Sequence, residues 1–149
     1  MNTLAKTFAA AALIAVSTFT MAAGKPAGDN YKKATVNLST ADLAIDHYVG
    51  VMTKGQSAGV EQLFTSDFKQ KVQAAEDKTN SRSEVISFLK KQKGEQLNCK
   101  TSTTIVEQSS DYMVAKVTQQ FEGFTKTDFI TFVNDGGNWK VSQSINTYK

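Results

Sequence analysis

The sequence predicts an α+β domain, with helices in its first half and an antiparallel sheet in its second. Two observations carry this. Apolar residues recur at spacings of three and four between Leu38 and Leu89, the helical period, and switch to every second residue from Cys99 onward. Clusters of turn-forming residues at Ser109-Ser110-Asp111, Glu122-Gly123 and Asn134-Asp135-Gly136-Gly137-Asn138 divide that second half into four strands of an antiparallel meander. A sheet built this way has one apolar face to cover, and the helices supply apolar stripes to cover it.

The N-terminus stands apart from this plan. Lys6 gives a weakly positive start, Phe8 to Phe19 is uncharged and apolar, and Ala22, Ala23 and Gly24 follow as small residues. That order is expected of a secretory signal peptide, residues 1–23, cleaved before Ala23 or Gly24. The apolar run falls short of the ~20 residues that span a bilayer. The product would be periplasmic or secreted, with no membrane attachment after cleavage. Residues 24–37 hold the sole proline and read as a flexible leader, leaving residues 38–149 as the domain. Cys99 is the one cysteine, so an internal disulfide is excluded; a buried place at the start of a strand is expected for it.

Each helix has local signals. Ser39 reads as an N-cap with Asp42 in a capping-box position, and Leu38 with Leu43 as a hydrophobic staple. Ala41, Ala44, Ile45, Tyr48, Val49 and Met52 make the apolar stripe, and Gly55 the left-handed stop. Ser57 starts a short second helix carrying Val60, Leu63 and Phe64. A ragged strand is expected over residues 68–74 and a polar loop over residues 76–80. Ser81 and Glu84 form a capping box for a third helix whose apolar face is Val85, Phe88 and Leu89. Lys90, Lys91 and Lys93 close that helix, where cations suit the dipole, and so are not a nucleic-acid patch. In the sheet, Thr101, Thr103 and Ile105 alternate with polar neighbours. Met113, Ala115, Val117 and Phe121 share one face of the next strand, and Trp139, Val141 and Ile145 one face of the last, opposed by Lys140, Ser142 and Ser144.

The inventory excludes several chemistries. A formal charge of +3 provides no field for nucleic acid. One histidine and one cysteine give no metal-ligand spacing, and no glycine motif cradles a phosphate, so neither a metal nor a cofactor is expected.

The residues Tyr48-Val49, Met52-Thr53-Lys54-Gly55-Gln56, Val60, Leu63-Phe64 and Asp67-Phe68, with the ending DGGNWKVSQ, resemble nuclear transport factor 2-like domains. Among these the chain is most similar to small exported bacterial proteins of lumazine-binding type, over roughly residues 41–148. The resemblance implies a cone-shaped half-barrel: a strongly curved sheet of four to six strands wrapped around the long first helix, with two shorter helices and a cavity between. Homodimers through the sheet are common in the superfamily, and here Tyr112, Lys116, Thr118, Lys140 and Ser142 would meet the second protomer.

The superfamily includes ketosteroid isomerases and polyketide cyclases. Tyr48 stands at the position of the isomerases' oxyanion tyrosine, but Val72 stands where they carry the catalytic carboxylate. The function expected is therefore non-catalytic binding of a small apolar or aromatic molecule, or of a protein partner. The cavity would be lined by Tyr48, Met52, Phe68, Phe88, Met113 and Trp139. The alternative is a cofactor-independent isomerase, cyclase or dehydratase using Tyr48 and His47.

Overall fold

The computed structural model describes residues 35–74 and 76–149. The expected signal peptide and most of the expected leader lie outside the described residues. Three helices and six strands follow in the order α1 (Ala41–Lys54), α2 (Val60–Leu63), β1 (Phe64–Gln73), β2 (Lys78–Ser81), α3 (Arg82–Lys91), β3 (Lys100–Gln108), β4 (Tyr112–Gln120), β5 (Thr125–Asp135) and β6 (Asn138–Tyr148). The strands form one curved, unclosed sheet in the order β2-β1-β6-β5-β4-β3. The expected α+β plan and the meander from β3 to β6 are both present. One pairing is not antiparallel: β1 runs parallel to β6, because α3 and the link after it carry the chain from β2 at one edge to β3 at the other, so that β2 and β3 run in the same direction. Residues 76–80, expected as a loop, contribute most of the edge strand β2.

Local chemistry sets the helix ends. α1 is capped by the Thr40 hydroxyl, which accepts from the Leu43 amide at 3.2 Å, one residue later than the expected Ser39. The Ser39 amide instead donates to Asn37 Oδ1, which turns the chain just ahead of the helix. Gly55 ends α1 at φ 60°, as its sequence position implies. The Ser81–Glu84 capping box of α3 is fully formed. The buried face of α3 is Val85, Ile86 and Leu89, whereas Phe88 is 59% exposed. Cys99 is half-exposed beside Thr101, and not buried, since β3 is an edge strand exposed along its whole length.

The core lies between α1, α2 and the concave face of the sheet. It includes Ile45 and Tyr48 from α1, Leu63 and Phe64, and Met113, Val117, Ile130, Phe132 and Val141 from the strands. The Tyr48 ring meets Phe132 edge-on, with centroids 6.1 Å apart.

One irregularity decides what faces inward on β6. Phe132 pairs with Val141 but Thr131 pairs with Gln143, so Ser142 is an extra, bulged residue. Its hydroxyl donates to the Thr131 carbonyl at 3.3 Å, which ties down the bulge. Beyond it the alternation inverts: Ser144 and Asn146 are buried, and Ile145 turns to the outer face. The expected face Trp139, Val141 and Ile145 is correct for its first two members only.

Candidate functional site

The inverted parity of β6 gives the concave face a polar end. Cross-strand neighbours share a face, so three registers locate it. Asp128 lies opposite Asn146, Lys126 opposite Tyr148, and Gln119 opposite Lys126. Ser144 pairs on its other side with Gln70 of β1, and Gln70 with Asn80 of β2. Gln119, Asp128, Ser144 and Asn146 are 1%, 0%, 0% and 3% exposed. Each has a buried side-chain atom with no hydrogen-bond partner: both polar atoms of Gln119, Asp128 Oδ1, Ser144 Oγ and Asn146 Oδ1. Such groups normally find partners, and one left alone in a dry interior costs about 1–3 kcal/mol.

Beside this cluster is a pocket of about 630 Å³, within the range of small-molecule sites. Its inner walls are Gln70, Val72, Lys126, Asn146 and Tyr148 of the sheet; Met52 of α1 and Val85, Phe88 and Leu89 of α3 complete the apolar part. Ser83, Glu84, Ser87 and Lys91 of α3 and Lys78 and Asn80 of β2 line the rest. A second groove, of about 580 Å³, lies beside α2 and the start of β1. Its charged groups are all engaged: Arg82 donates to the backbone carbonyl of Glu61 at 2.6 Å, the Glu61 carboxylate takes Lys90, and Lys140 pairs with Asp135 at 2.7 Å.

Tyr48 is fully buried, and its hydroxyl donates to Asp128 Oδ2 at 3.2 Å. The same oxygen receives Lys126 Nζ at 2.8 Å. Burial pushes the Tyr48 phenol well above its ordinary value of 10.0, and the adjacent Asp128 carboxylate adds to the rise. Tyr148 is raised too, by burial and then by Asp128, with the Asn146 side chain opposing. His47 is elsewhere, under the α1–α2 link. Burial lowers its imidazole from the ordinary 6.5, against a bond to the Ala58 backbone that raises it, and Nε2 is buried without a partner.

The structure therefore rearranges the expected site. Of the six lining residues, Met52 and Phe88 border the pocket. Tyr48, Phe68, Met113 and Trp139 are 1%, 2%, 0% and 6% exposed and pack in the core, where α1 fills the space a larger cavity would need. Tyr48 and His47 are neighbours in sequence but point about 100° apart around the helix, so they do not form a pair. Val72 does line the pocket. Sequence reading missed Lys126, Asp128, Gln119, Ser144 and Asn146. Two of these had a signal: Asp128 is in phase with Ile130 and Phe132, and Gln119 with Met113, Ala115 and Val117, polar groups on otherwise apolar faces.

Among the described residues, no cluster of three or more His, Cys, Asp or Glu could hold a metal, and no helix is long and apolar enough to cross a membrane.

Comparison with known proteins fits this geometry. Residues 37–145 match the family described as "Putative lumazine-binding". The chain belongs to that family. Its fold is nuclear transport factor 2-like. A structure of such a protein of unknown function from Silicibacter pomeroyi DSS-3 aligns with a TM-score of 0.60 at 20% identity, covering 72% of this chain and 90% of that one. One from Methylobacillus flagellatus KT aligns at 0.59 and 12% identity, covering 78% and 98%. A "putative ketosteroid isomerase" from Parabacteroides distasonis ATCC 8503 aligns at 0.56 and 10% identity, covering 79% and 92%. At these identities the likeness is one of fold alone. Among curated proteins none matches the chain.

Proposed function

We propose that this family member is an exported, non-catalytic module that binds a small molecule in the pocket between α3 and the sheet. The observation that carries the reading is the coincidence of that pocket with the unpartnered polar cluster. Asn146 lines the pocket and has a buried, unpaired Oδ1, and Asp128, Ser144 and Gln119 adjoin it on the same face. Apolar walls with a few convergent polar groups are the usual composition of a ligand site. The polar end differs from the aromatic-rich pocket with few charges expected from sequence.

The isomerase alternative is weakened by the same geometry. An enolate needs hydrogen-bond donors aimed at it and a base beside it. The Tyr48 hydroxyl is committed to Asp128, and the pocket wall carries Val72 where a base would stand.

Lumazine, named in the family's description, is a suitable first probe because it is planar, hydrogen-bonding and fluorescent. Titration into the protein should change its emission saturably, and Asn146→Leu should weaken the effect about tenfold through the lost acceptor. No change with lumazine or with the acid probes named below would sink the reading. Export is tested separately, by mass spectrometry for a mature N-terminus at Ala23 or Gly24.

A homodimer through the outer sheet face is part of the proposal. Phe129 is 41% exposed there, between Lys116 on β4 and Ile145 on β6, and Lys116 Nζ stands 5.9 Å from its ring centroid. Phe129→Lys should convert the dimer to monomer in light scattering; an unchanged mass would remove this surface from consideration.

A further inference from the structure

Resting on the binding reading, we propose that the pocket takes a planar aromatic acid. Its ring would carry an N–H or O–H donor at the inner edge and a carboxylate at the mouth. The two ends of the pocket have opposite chemistry. At the inner end the unpaired atoms are mainly acceptors. Asn146 Oδ1 is buried in the wall, and behind it lies Asp128 Oδ1, which can only accept if the side chain is a carboxylate. An apolar ligand would leave Asn146 Oδ1 without a partner, and an anion pushed inward would meet the Asp128 carboxylate. A donor hydrogen on the ligand pairs with Asn146 Oδ1 and brings no negative charge toward Asp128.

The mouth has the reverse sign. The exposed Lys78 and Lys91 line it, with Glu84 as the one acidic lining residue. Glu84 is committed: its Oε2 takes the Ser81 amide and the Ser81 hydroxyl, each at 2.7 Å. These bonds hold its carboxyl below the ordinary value. Lys126 is held by Asp128. Among the described residues Lys91 makes no ion pair, and Lys78 has near it only the Glu84 carboxylate that Ser81 already holds, so the rim keeps an excess of positive charge. Such an excess attracts a carboxylate and repels a cationic ligand. Between the two ends the walls are apolar and opposed, Val72 on the sheet side and Phe88 and Leu89 on α3. A slot between a helix and a sheet face suits a flat ring. Phe88, which the core leaves 59% exposed, gains a partner when a ring stacks on it.

The test uses three small probes with the full mature chain, by calorimetry or by NMR shift perturbation. They are 4-hydroxybenzoate (donor and carboxylate), benzoate (carboxylate only) and phenol (donor only). 4-Hydroxybenzoate should bind about tenfold or more tighter than either of the others. Replacing both rim lysines, Lys78→Ala with Lys91→Ala, should weaken 4-hydroxybenzoate and benzoate about fivefold or more and leave phenol unchanged. Both lysines are exposed, so the variant folds. Asn146→Leu should do the converse, weakening phenol and 4-hydroxybenzoate and sparing benzoate. Equal affinity for all three probes, or no effect of the lysine pair, overturns the acid assignment. Lumazine binding together with either of those results leaves the pocket standing and removes only this inference. Silence from every probe, lumazine included, removes both.

Discussion

Asp128→Asn changes one charge and almost no volume at the centre of the polar end. Asp128 Oδ2 holds Lys126 Nζ at 2.8 Å and accepts the Tyr48 hydroxyl at 3.2 Å, and the residue is 0% exposed. At that separation two unit charges attract by about 6 kcal/mol for an effective dielectric of about 20, and desolvation of the pair cancels much of it. The net worth of the intact pair is therefore small, but removing one partner is not. A buried charge left facing a neutral amide costs about 3–5 kcal/mol. The Lys126 side chain is 12% exposed and borders the pocket, so it can swing toward water, which brings the loss below that range, to about 2–3 kcal/mol. Over the roughly 115 described residues, an unfolding entropy of about 2.1 cal/mol/K per residue turns that into a melting-point drop of about 8–12 °C. Urea unfolding followed by Trp139, the sole tryptophan and a buried one, measures it directly. A double-mutant cycle with Lys126→Met should return a coupling of about 1 kcal/mol or more. A loss under about 0.5 kcal/mol in Asp128→Asn, or strict additivity in the cycle, would refute the pair as a buried, mutually dependent unit.

The folded His47 imidazole has its pKa below the ordinary 6.5, so the unfolded chain takes up that proton first. The stability involved is present above pH 6.5 and is lost as pH falls through that value toward the folded pKa; urea midpoints at pH 7.5 and 5 should show the loss, and His47→Gln should flatten it. Gly55 sits at φ 60°, and a Cβ there would meet the Gln92 carbonyl and the Glu95 amide at 2.5 Å. Gly55→Ala should therefore cost about 2 kcal/mol or more in urea unfolding, against about 1 kcal/mol for Gly136→Ala, which has the same φ region but open space around it. Ser144→Ala deletes a buried hydroxyl whose polar neighbour is the Tyr48 phenol, too far for a well-formed bond, and should change stability by no more than about 1 kcal/mol. A larger loss in thermal melts would show that this hydroxyl is satisfied in solution.

What the sequence disclosed follows from how local each signal is. The Ser81–Glu84 box, the Gly55 stop and the Asn134–Asn138 turn depend on residues within a few positions of one another, and all three formed. The spacing of apolar residues between Leu38 and Leu89 was enough for the helices and, with the family resemblance, for the fold. β2 was invisible because KTNS has no apolar member; it is a strand only because β1 presents an edge to it. β6 was misread for a different reason. A bulge adds one residue without any mark in the sequence, and a single residue reverses every side chain beyond it. Ser144, Asn146 and Ile145 exchange faces on that account alone, so half of the polar end could not be found by counting.

The bulge at Ser142 is thus the step that connects the chain's local structure to its chemistry. Without the shift, Ile145 would face inward near Asp128, and the concave surface would keep as polar groups only that carboxylate, its lysine and the glutamines Gln119 and Gln70. With it, Ile145 moves to the outer face beside Phe129, where the proposed dimer would bury it, and Ser144 and Asn146 join Asp128. One extra residue adds apolar surface to the outside and acceptors to the inside. A fold selected for stability alone gains little from this exchange, since it moves a good core residue out and brings unpaired polar atoms in. The exchange is understandable if both faces are used, the outer one against a second copy of the chain and the inner one against a hydrogen-bonding ligand. That reasoning makes the two proposals separable: Phe129→Lys should abolish the dimer and leave the pocket's affinity intact, whereas Asn146→Leu should do the opposite.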